Sequence, residues 1–390
     1  MSISKAISQQ MERTSWIRRM FETGIQLRRE RGPEHVFDFS LGNPEVEPPS
    51  AVLDALKRVA AEDRPHAHGY MPNAGYPEVR ETIANRLAAR TGLPFSLADV
   101  IMTNGAAGAL NTVLKSILDP GDEVILLNPY FPEYRFYVEN HGGRVVLVET
   151  DDRFQLDLPR IARAITPRTK ALILNSPNNP TGVVYPAEAL RALDSLVRDP
   201  MIVISDEPYR SLTYDGLVPP EVPECIERCV VAWSWSKAMA IPGERIGYLA
   251  ISPRLAEAAE LRNACTFANR ILGYINAPAL WQRVVGEVPD ATVDVAPYQQ
   301  KRDLLCDGLS AMGYDAPRPQ GSFYVFVKTP IPDDVEFIGL LQDEGILAVP
   351  GIGFGRPGYM RLSLTITKSE IERSLPAFAH ALQCLLTPAL

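Results

Sequence analysis

The chain has 390 residues, of which 46% are hydrophobic and 22% are charged, a composition typical of globular rather than disordered proteins. Its 39 basic and 47 acidic residues give a formal net charge of −8, which argues against nucleic acid or an anionic membrane as the main partner. The length exceeds what one ordinary hydrophobic core holds and predicts two domains.

The sequence also bears on where the protein works. No apolar run reaches the length that spans a bilayer, and the first residues lack the apolar stretch of a secretory signal peptide. The 5 cysteines do not make a disulfide scaffold in a chain of this length. Together these features predict a protein of the reducing cytoplasm.

The first three quarters of the chain predict an arm followed by a large domain. Residues 1–48 form the arm, with a helix over 15–31 and a short strand over 37–41. From residue 49, apolar strands alternate with helices. The predicted helices are 51–62, 76–91 and 105–118, and the predicted strands are 100–102, 123–127, 144–148, 171–174, 201–205, 229–232 and 246–251. This alternation predicts an α/β fold with a mostly parallel central sheet covered by helices on both faces.

After residue 297 the pattern changes to that of a smaller α+β domain. Helices are predicted over 299–312, 335–344 and 369–385, and strands over 323–327 and 360–364. The predicted division is therefore a large domain of residues 49–297 and a small domain of residues 298–390, joined by the arm of residues 1–48.

Two segments after strands favour ligand binding. Gly105-Ala106-Ala107-Gly108 opens a helix, where small side chains let backbone amides approach a phosphate. Such a run also occurs for packing alone, so both interpretations stay open. The segment 175–182 holds two prolines and several asparagines after a buried strand. It predicts a rigid loop that presents amide side chains at the sheet edge, although a plain strand-ending turn is the alternative.

Asp206 ends another apolar strand, and burying its charge without a partner would be costly. Paired with a protonated ring nitrogen, it would make a charge-assisted hydrogen bond. The alternative is a helix N-cap. Tyr209, three residues on, offers a hydroxyl donor or simply packs.

Lys237 follows a strand in Trp233-Ser234-Trp235-Ser236-Lys237, with Arg245 beyond a turn. An amine must be neutral to act as a nucleophile or base, and burial and nearby positive charge lower the pKa of lysine. The two serine hydroxyls and the Arg245 fork suit a phosphate dianion. A lysine and an aspartate at one sheet edge are what pyridoxal phosphate chemistry needs.

These residues, in this order, resemble the class I/II aminotransferases of fold type I. The similarity extends from about residue 37 to beyond Arg361. It rests on Gly42-Asn43-Pro44, Asn179-Pro180-Thr181-Gly182, Asp206 with Tyr209, Ser234 to Lys237 with Arg245, and Arg361. It implies a pyridoxal 5'-phosphate enzyme that transfers the amino group of a free α-amino acid to a 2-oxo acid.

The resemblance also implies roles for single residues. Lys237 is similar to the catalytic lysine that forms the Schiff base with the cofactor and moves a proton between the substrate α-carbon and the cofactor C4′. Asp206 is similar to the partner of the pyridine nitrogen, and Phe131 to the aromatic that stacks on the ring. Tyr209 and Asn179 are similar to donors to the phenolic oxygen. The phosphate group is implied to bind to Gly105, Ala106, Ala107, Ser234, Ser236 and Arg245.

For the substrate, Arg361 resembles the arginine that holds the α-carboxylate, and Gly42 and Asn179 are implied to line the same pocket. Tyr70 resembles a tyrosine that reaches the phosphate from the neighbouring subunit, which implies a homodimer with shared active sites. The expected partners are small molecules, with no metal, nucleic acid or membrane.

Recognition of the substrate side chain stays open. Some aspartate-specific members of the family carry a lysine where this chain has Ala107. Another branch uses an arginine from the partner subunit in the region 269–277, and Arg270 lies there without a secure alignment. The segments 273–275 and 17–21 are alternatives that would build an aromatic or apolar pocket.

Two other functions remain as alternatives. A β-eliminating C–S lyase of the cystathionine type would use the same lysine and carboxylate clamp. A non-catalytic regulator that binds the cofactor would not need both Lys237 and Arg361, and no DNA-reading segment is visible.

Three further patterns are assigned no ligand. His66 and His68 lack a third metal ligand nearby in sequence, and Cys225 and Cys229 lack a second pair. The glycines at 351, 353 and 355 resemble a nucleotide loop but no helix follows them, so a flexible turn ahead of the Arg361 strand is expected.

Overall fold

The computed structural model describes residues 2–12, 16–62 and 64–386. The helices are α1 (Lys5–Glu12), α2 (Trp16–Arg31), α3 (Ser50–Ala61), α4 (Pro77–Thr91), α5 (Gly105–Ile117), α6 (Glu133–Asn140), α7 (Leu158–Ala164), α8 (Ala187–Asp194), α9 (Val222–Cys225), α10 (Trp235–Ala238), α11 (Ala258–Ile271), α12 (Ala279–Glu287), α13 (Ala296–Ala311), α14 (Asp334–Asp343) and α15 (Lys368–Leu386). Within the described ranges, no helix has the length and apolar character needed to cross a membrane.

The strands form three sheets. The strands are β1 (Phe37–Asp38), β2 (Val100–Thr103), β3 (Glu123–Asn128), β4 (Arg144–Glu149), β5 (Thr169–Asn175), β6 (Ile202–Asp206), β7 (Cys229–Ser234), β8 (Gly247–Ile251), β9 (Tyr324–Lys328), β10 (Ile346–Leu347), β11 (Val349–Pro350) and β12 (Tyr359–Ser363).

The large sheet has seven strands in the order β2-β8-β7-β6-β5-β3-β4. Strand β8 runs antiparallel to both its neighbours, and the other pairs are parallel. Asn175 at the end of β5 lies opposite Asp206, which in turn lies opposite Ala232 of β7. The carboxyl ends of three adjacent strands therefore meet at one edge, where open α/β sheets bind ligands.

Both faces of this sheet are buried except along the edge strand β4. Along β3, Val124 and Leu126 pack into one apolar cluster, whereas Ile125 and Leu127 pack into another. Successive residues of a strand point to opposite faces, so two clusters mean that helices cover both sides. Each buried aliphatic side chain contributes about 1.5–3 kcal/mol to folding. The predicted mostly parallel α/β architecture is confirmed.

The smaller sheets belong to the ends of the chain. Strands β11, β12 and β9 form an antiparallel sheet in that order, and β1 pairs in parallel with β10. A separate apolar cluster underlies them, built from α13, α15 and these strands. The predicted division into residues 49–297 against 1–48 with 298–390 stays a prediction.

Most predicted elements occur, with one shortened strand. The seven strands predicted for the large sheet are present, and their ends differ by one or two residues. The strand predicted over 37–41 is β1, which ends at Asp38 because β10 offers only two residues to pair with. The chain then continues to Ser40, whose carbonyl accepts a hydrogen bond from Arg361. The helix predicted over 15–31 is α2, and residue 15 lies outside the described residues.

Candidate active site

A cavity of about 830 Å³ lies at the carboxyl ends of β5, β6 and β7. The large sheet, the small sheet, α1 and the first turns of α5 and α6 all contribute to its wall. It is lined by Ile7, Gln10, Met11, Leu41, Gly42, Ala106, Ala107, Leu110, Phe131, Glu133, Phe136, Tyr137, Asn179, Asp206, Pro208, Tyr209, Ser234, Ser236, Lys237, Pro242, Arg245, Tyr324 and Arg361.

Asp206 stands at the floor of this cavity with one oxygen engaged and one free. Its Oδ2 accepts a hydrogen bond of 2.5 Å from the Tyr134 hydroxyl, while its buried Oδ1 has no partner among the described residues. Burial raises the pKa of Asp206 to about 7, against the lowering effect of the Tyr134 bond and with a further raising effect from Glu207. A cationic partner at Oδ1 would hold this carboxyl in its charged form.

Lys237 lies in α10, directly after β7. Its Nζ donates a hydrogen bond of 2.7 Å to the backbone carbonyl of Gly42 and lies 5.1 Å from the centre of the Phe323 ring. Burial, and then the charges of Arg245 and Arg361, lower the pKa of Lys237 to about 8. A substantial fraction of this amine is therefore neutral at mildly alkaline pH, which nucleophilic attack and proton abstraction require.

Small residues, hydroxyls and one guanidinium form an anion cradle at the start of α5 and α10. Gly105 has a left-handed φ of 71°, and a Cβ there would lie 3.0 Å from the Nη2 atom of Arg245. Ser234 caps α10, since its Oγ accepts a 3.0 Å hydrogen bond from the Ser236 amide. Arg245 is exposed and pairs with no acidic residue in the described parts of the chain, so its charge is available to a ligand.

Arg361 of β12 approaches the same cavity from the small sheet. It is only 1% exposed, its Nη1 donates to Asn179 Oδ1 at 3.1 Å, and its Nη2 donates to Ser40 at 2.8 Å. Its guanidinium lies 4.1 Å from the centre of the Tyr324 ring. Its Nε is buried without a partner, and no described carboxylate pairs with it. Burial lowers the pKa of Arg361, and an incoming carboxylate would offset that cost.

The backbone of Gly42 must pass close to Tyr324. A Cβ at position 42 would collide with the Tyr324 hydroxyl, so a larger residue would force a shift either of this hydroxyl or of the Gly42 backbone, whose carbonyl accepts from Lys237.

Two aromatic residues of the expected set also reach the cavity. Phe131 packs edge-on against Tyr134, with ring centres 5.5 Å apart. Tyr209 packs edge-on against Phe323 and Tyr324, and burial raises its pKa well above the usual range. Its hydroxyl therefore stays protonated and able to donate.

Comparison with known proteins decides the family. The family model for aminotransferase class I and II matches residues 34–378. The chain belongs to this family. The aminotransferase is 40% identical over 353 residues to the aspartate/prephenate aminotransferase of Thermus thermophilus, covering 87% of this chain and 89% of that protein.

Solved structures agree with the sequence comparison. A crystal structure of an aminotransferase from Eubacterium rectale has a TM-score of 0.95 at 37% identity, covering 98% of this chain and 99% of that one. The aspartate aminotransferase of Thermotoga maritima has a TM-score of 0.87 at 30% identity, with 98% and 100% covered. The predicted family, enzyme class and use of pyridoxal phosphate are confirmed.

The residues of the cavity fit pyridoxal phosphate. Asp206 Oδ1, which has no partner among the described residues, offers a place for a protonated ring nitrogen. Arg245, beside Gly105 and not ion-paired with any described acid, offers one for a phosphate. The amine of Lys237 stands in the same cavity. Among the described residues, no three His, Cys, Asp or Glu side chains gather closely enough to hold a metal ion.

Not every predicted residue lines the cavity of this chain. Tyr70 is 91% exposed and lies by Tyr274 and Ile275 at a separate surface depression. Arg270 is exposed and stacks on Phe267 at 5.2 Å, away from the cavity lining. The side chains of residues 17 and 21 lie outside the described ones.

Sequence reasoning missed several cavity residues. Three of them, Glu133, Phe136 and Tyr137, lie on α6, which follows the carboxyl end of β3, and that position was the available signal. Tyr324 starts a strand that was predicted, but no sequence pattern indicates that its hydroxyl lies close to Gly42. The contribution of α1 had no signal, because contacts so distant in sequence are not encoded in a local pattern.

Proposed function

We propose that this aminotransferase moves the amino group of a free α-amino acid to a 2-oxo acid through Lys237, Asp206 and Arg361. One observation carries the proposal. A single cavity joins the Lys237 amine, whose pKa is lowered, with the buried Asp206 carboxylate and the buried Arg361 guanidinium. Within the described parts of the chain, Asp206 Oδ1 has no partner and Arg361 pairs with no acidic residue. For amino transfer, the amine serves as the base, the carboxylate holds the cofactor ring, and the guanidinium binds the substrate carboxylate.

The cofactor would be held by residues from the large sheet. Pyridoxal phosphate supplies an aldehyde that condenses with amines and a ring that accepts electrons. Asp206 holds the ring nitrogen, Tyr209 and Asn179 donate to the phenolic oxygen, and Phe131 covers one ring face. The phosphate binds to Gly105, Ala106, Ala107, Ser234, Ser236 and Arg245, which combine a helix N-terminus, hydroxyls and a guanidinium.

Lys237 would serve as both nucleophile and base. Its lowered pKa leaves the amine free to take a proton from the substrate α-carbon and to deliver it at the cofactor C4′. Arg361 orients the substrate by its α-carboxylate, with Asn179 and Gly42 beside it. The apolar and aromatic wall excludes water from the reacting atoms.

We infer further that the enzyme is a homodimer with shared active sites. Tyr70 is a large side chain that is 91% exposed, and Phe267 and Ile271 on α11 are 54% and 50% exposed. A second subunit would cover such residues, and Tyr70 would then reach the phosphate of the neighbouring active site. Sedimentation of wild type and a Tyr70→Phe variant, with cofactor affinity measured for each, tests this arrangement.

We also infer that the enzyme works in the cytoplasm. All five cysteines carry free thiols, and four of them are buried. A reducing compartment preserves such thiols. Cell fractionation with an antibody to the protein tests this location.

The reaction is tested by mixing the cofactor-loaded enzyme with each common amino acid in the absence of an acceptor. A transaminase releases one equivalent of 2-oxo acid per active site and then stops until a 2-oxo acid is added. Continuous release of pyruvate and ammonia from cystathionine would instead identify a C–S lyase. No product from any donor would identify a non-catalytic binder of the cofactor.

A further inference from the structure

Five of the described residues that line the active-site cavity carry a charge: Glu133, Asp206, Lys237, Arg245 and Arg361. Under the proposed function, four of them have a counterpart in the cofactor or in the part shared by all α-amino acids. Asp206 pairs with the ring nitrogen and Lys237 with the aldehyde. Arg245 pairs with the phosphate and Arg361 with the α-carboxylate. Glu133 is left without a counterpart.

Glu133 lines the same cavity as the residues that would hold the cofactor and the α-carboxylate. It is the first residue of α6, two residues after Phe131, and it lines the cavity together with Tyr137 and Ala107. Ala107 adds no charge to the cavity lining. The described lining of this cavity therefore holds one carboxylate, Glu133, that neither the cofactor nor the α-carboxylate would engage, and its cations Lys237, Arg245 and Arg361 would be engaged by those groups.

The Glu133 carboxylate also lacks a partner of its own. It is half-buried, and no hydrogen bond or ion pair within the described parts of the chain involves its side chain. Burial raises the pKa of Glu133. A partly buried carboxylate without a partner is costly, and a cationic ligand group would offset that cost.

We propose that Glu133 makes this enzyme select amino donors whose side chain ends in a cation, a guanidinium or an ammonium group. This inference rests on the proposed function. The same carboxylate disfavours donors with an acidic side chain, since like charges repel in a desolvated site. Substrate selectivity thus departs from that of the aspartate aminotransferases to which the chain is similar.

A matched pair of donors tests the proposal. L-Arginine and L-citrulline have the same shape, but only arginine carries a guanidinium charge. Wild type is expected to use arginine with a kcat/KM about tenfold or more above that of citrulline, the effect of one charge-assisted hydrogen bond. Glu133→Gln removes the preference. Glu188→Gln, which removes one exposed carboxylate on α8, keeps it. Glu133→Arg reverses the selection and favours aspartate and glutamate.

A binding measurement separates this proposal from the reaction. 5-Guanidinopentanoic and 5-ureidopentanoic acid lack the α-amino group and cannot react, so their dissociation constants report side-chain recognition alone. The guanidino acid is expected to bind wild type about tenfold more tightly, and this difference disappears in Glu133→Gln. Retained cofactor absorbance and melting temperature show that the variant is folded.

Each outcome bears on one claim. Equal use of arginine and citrulline, together with equal binding of the two acids, overturns the role of Glu133 and leaves the amino transfer intact. A preference that survives in Glu133→Gln also overturns it. If no donor reacts at all, the proposed function fails, while the two acids still decide whether Glu133 recognises a cation.

Discussion

Arg361 on β12 donates a hydrogen bond of 3.1 Å to the amide oxygen of Asn179, in the loop after β5. This bond ties the small antiparallel sheet to the carboxyl edge of the large sheet. A substrate carboxylate bound by Arg361 would therefore be held between the two sheets and would add a second link between them. Substrate binding and the relative position of the sheets are coupled through these two residues.

Replacing Arg361 by lysine keeps the positive charge but loses the planar fork of donors. We expect kcat/KM for α-amino acids to fall about 10- to 100-fold, chiefly through a higher KM. Steady-state kinetics with several donors measures this. Arg318→Lys, at an exposed arginine of the surface, serves as the control. An unchanged KM in Arg361→Lys would refute the carboxylate-binding role.

Replacing Lys237 by alanine removes both the nucleophile and the base. We expect turnover to fall by at least about 10³-fold, because general base catalysis alone contributes 10²–10⁴. Cofactor binding persists, since the residues of the anion cradle and Asp206 remain. Single-turnover kinetics and equilibrium dialysis of the cofactor measure the two effects. Lys57→Ala, on the exposed face of α3, serves as the control. Undiminished turnover in Lys237→Ala would contradict the mechanism.

The pKa of Lys237 sets the pH at which the enzyme without cofactor captures pyridoxal phosphate. Because burial and two nearby arginines lower this pKa to about 8, the neutral amine increases as pH rises through that value. The rate of capture should rise about tenfold per pH unit below 8 and level off above it. Stopped-flow absorbance measures the rate. A 4-deoxypyridoxine phosphate control has no aldehyde and should not follow this curve.

The Asp206 carboxylate should lower the stability of the cofactor-free protein at neutral pH. Burial raises its pKa from 3.8 to about 7, so the folded state holds a proton that the unfolded state releases above pH 4. Stability from this group is therefore lost as pH rises from about 4 to about 7. Asp206→Asn should raise the melting temperature by a few degrees at pH 8 and hardly at all at pH 4, because the folded wild type has to bury a charged carboxylate only at the higher pH.

The same variant should lose activity once the cofactor is bound. An amide cannot balance the charge of a protonated ring nitrogen, so turnover is expected to fall roughly 10- to 100-fold. Scanning calorimetry of the cofactor-free protein and kinetics of the loaded enzyme measure the two opposite effects. A stability gain that is equal at pH 4 and pH 8 would show that packing, not titration, is responsible.

The sequence predicted the large sheet well because its strands are continuous apolar runs. Lys237 and Asp206 could be placed at its edge for the same reason, since each follows such a run directly. The hydrogen bond from Tyr134 to Asp206 could not be predicted from the sequence, because it joins residues 72 positions apart through side-chain geometry alone. The shortening of β1 depended on how many residues β10 offers. Long-range pairing of this kind leaves no periodic signal in the chain.

The pairing of Asn175 with Asp206 makes cofactor binding a reporter of correct refolding. Side chains alternate between the two faces of a sheet, so a slip of β6 by one residue would turn the Asp206 carboxylate to the opposite face. Molecules with such a slip would keep their helices and strands. After dilution from denaturant, far-ultraviolet circular dichroism would then count every compact molecule, whereas cofactor absorbance would count only those in the native register. The difference between the two yields would measure how often this sheet assembles incorrectly.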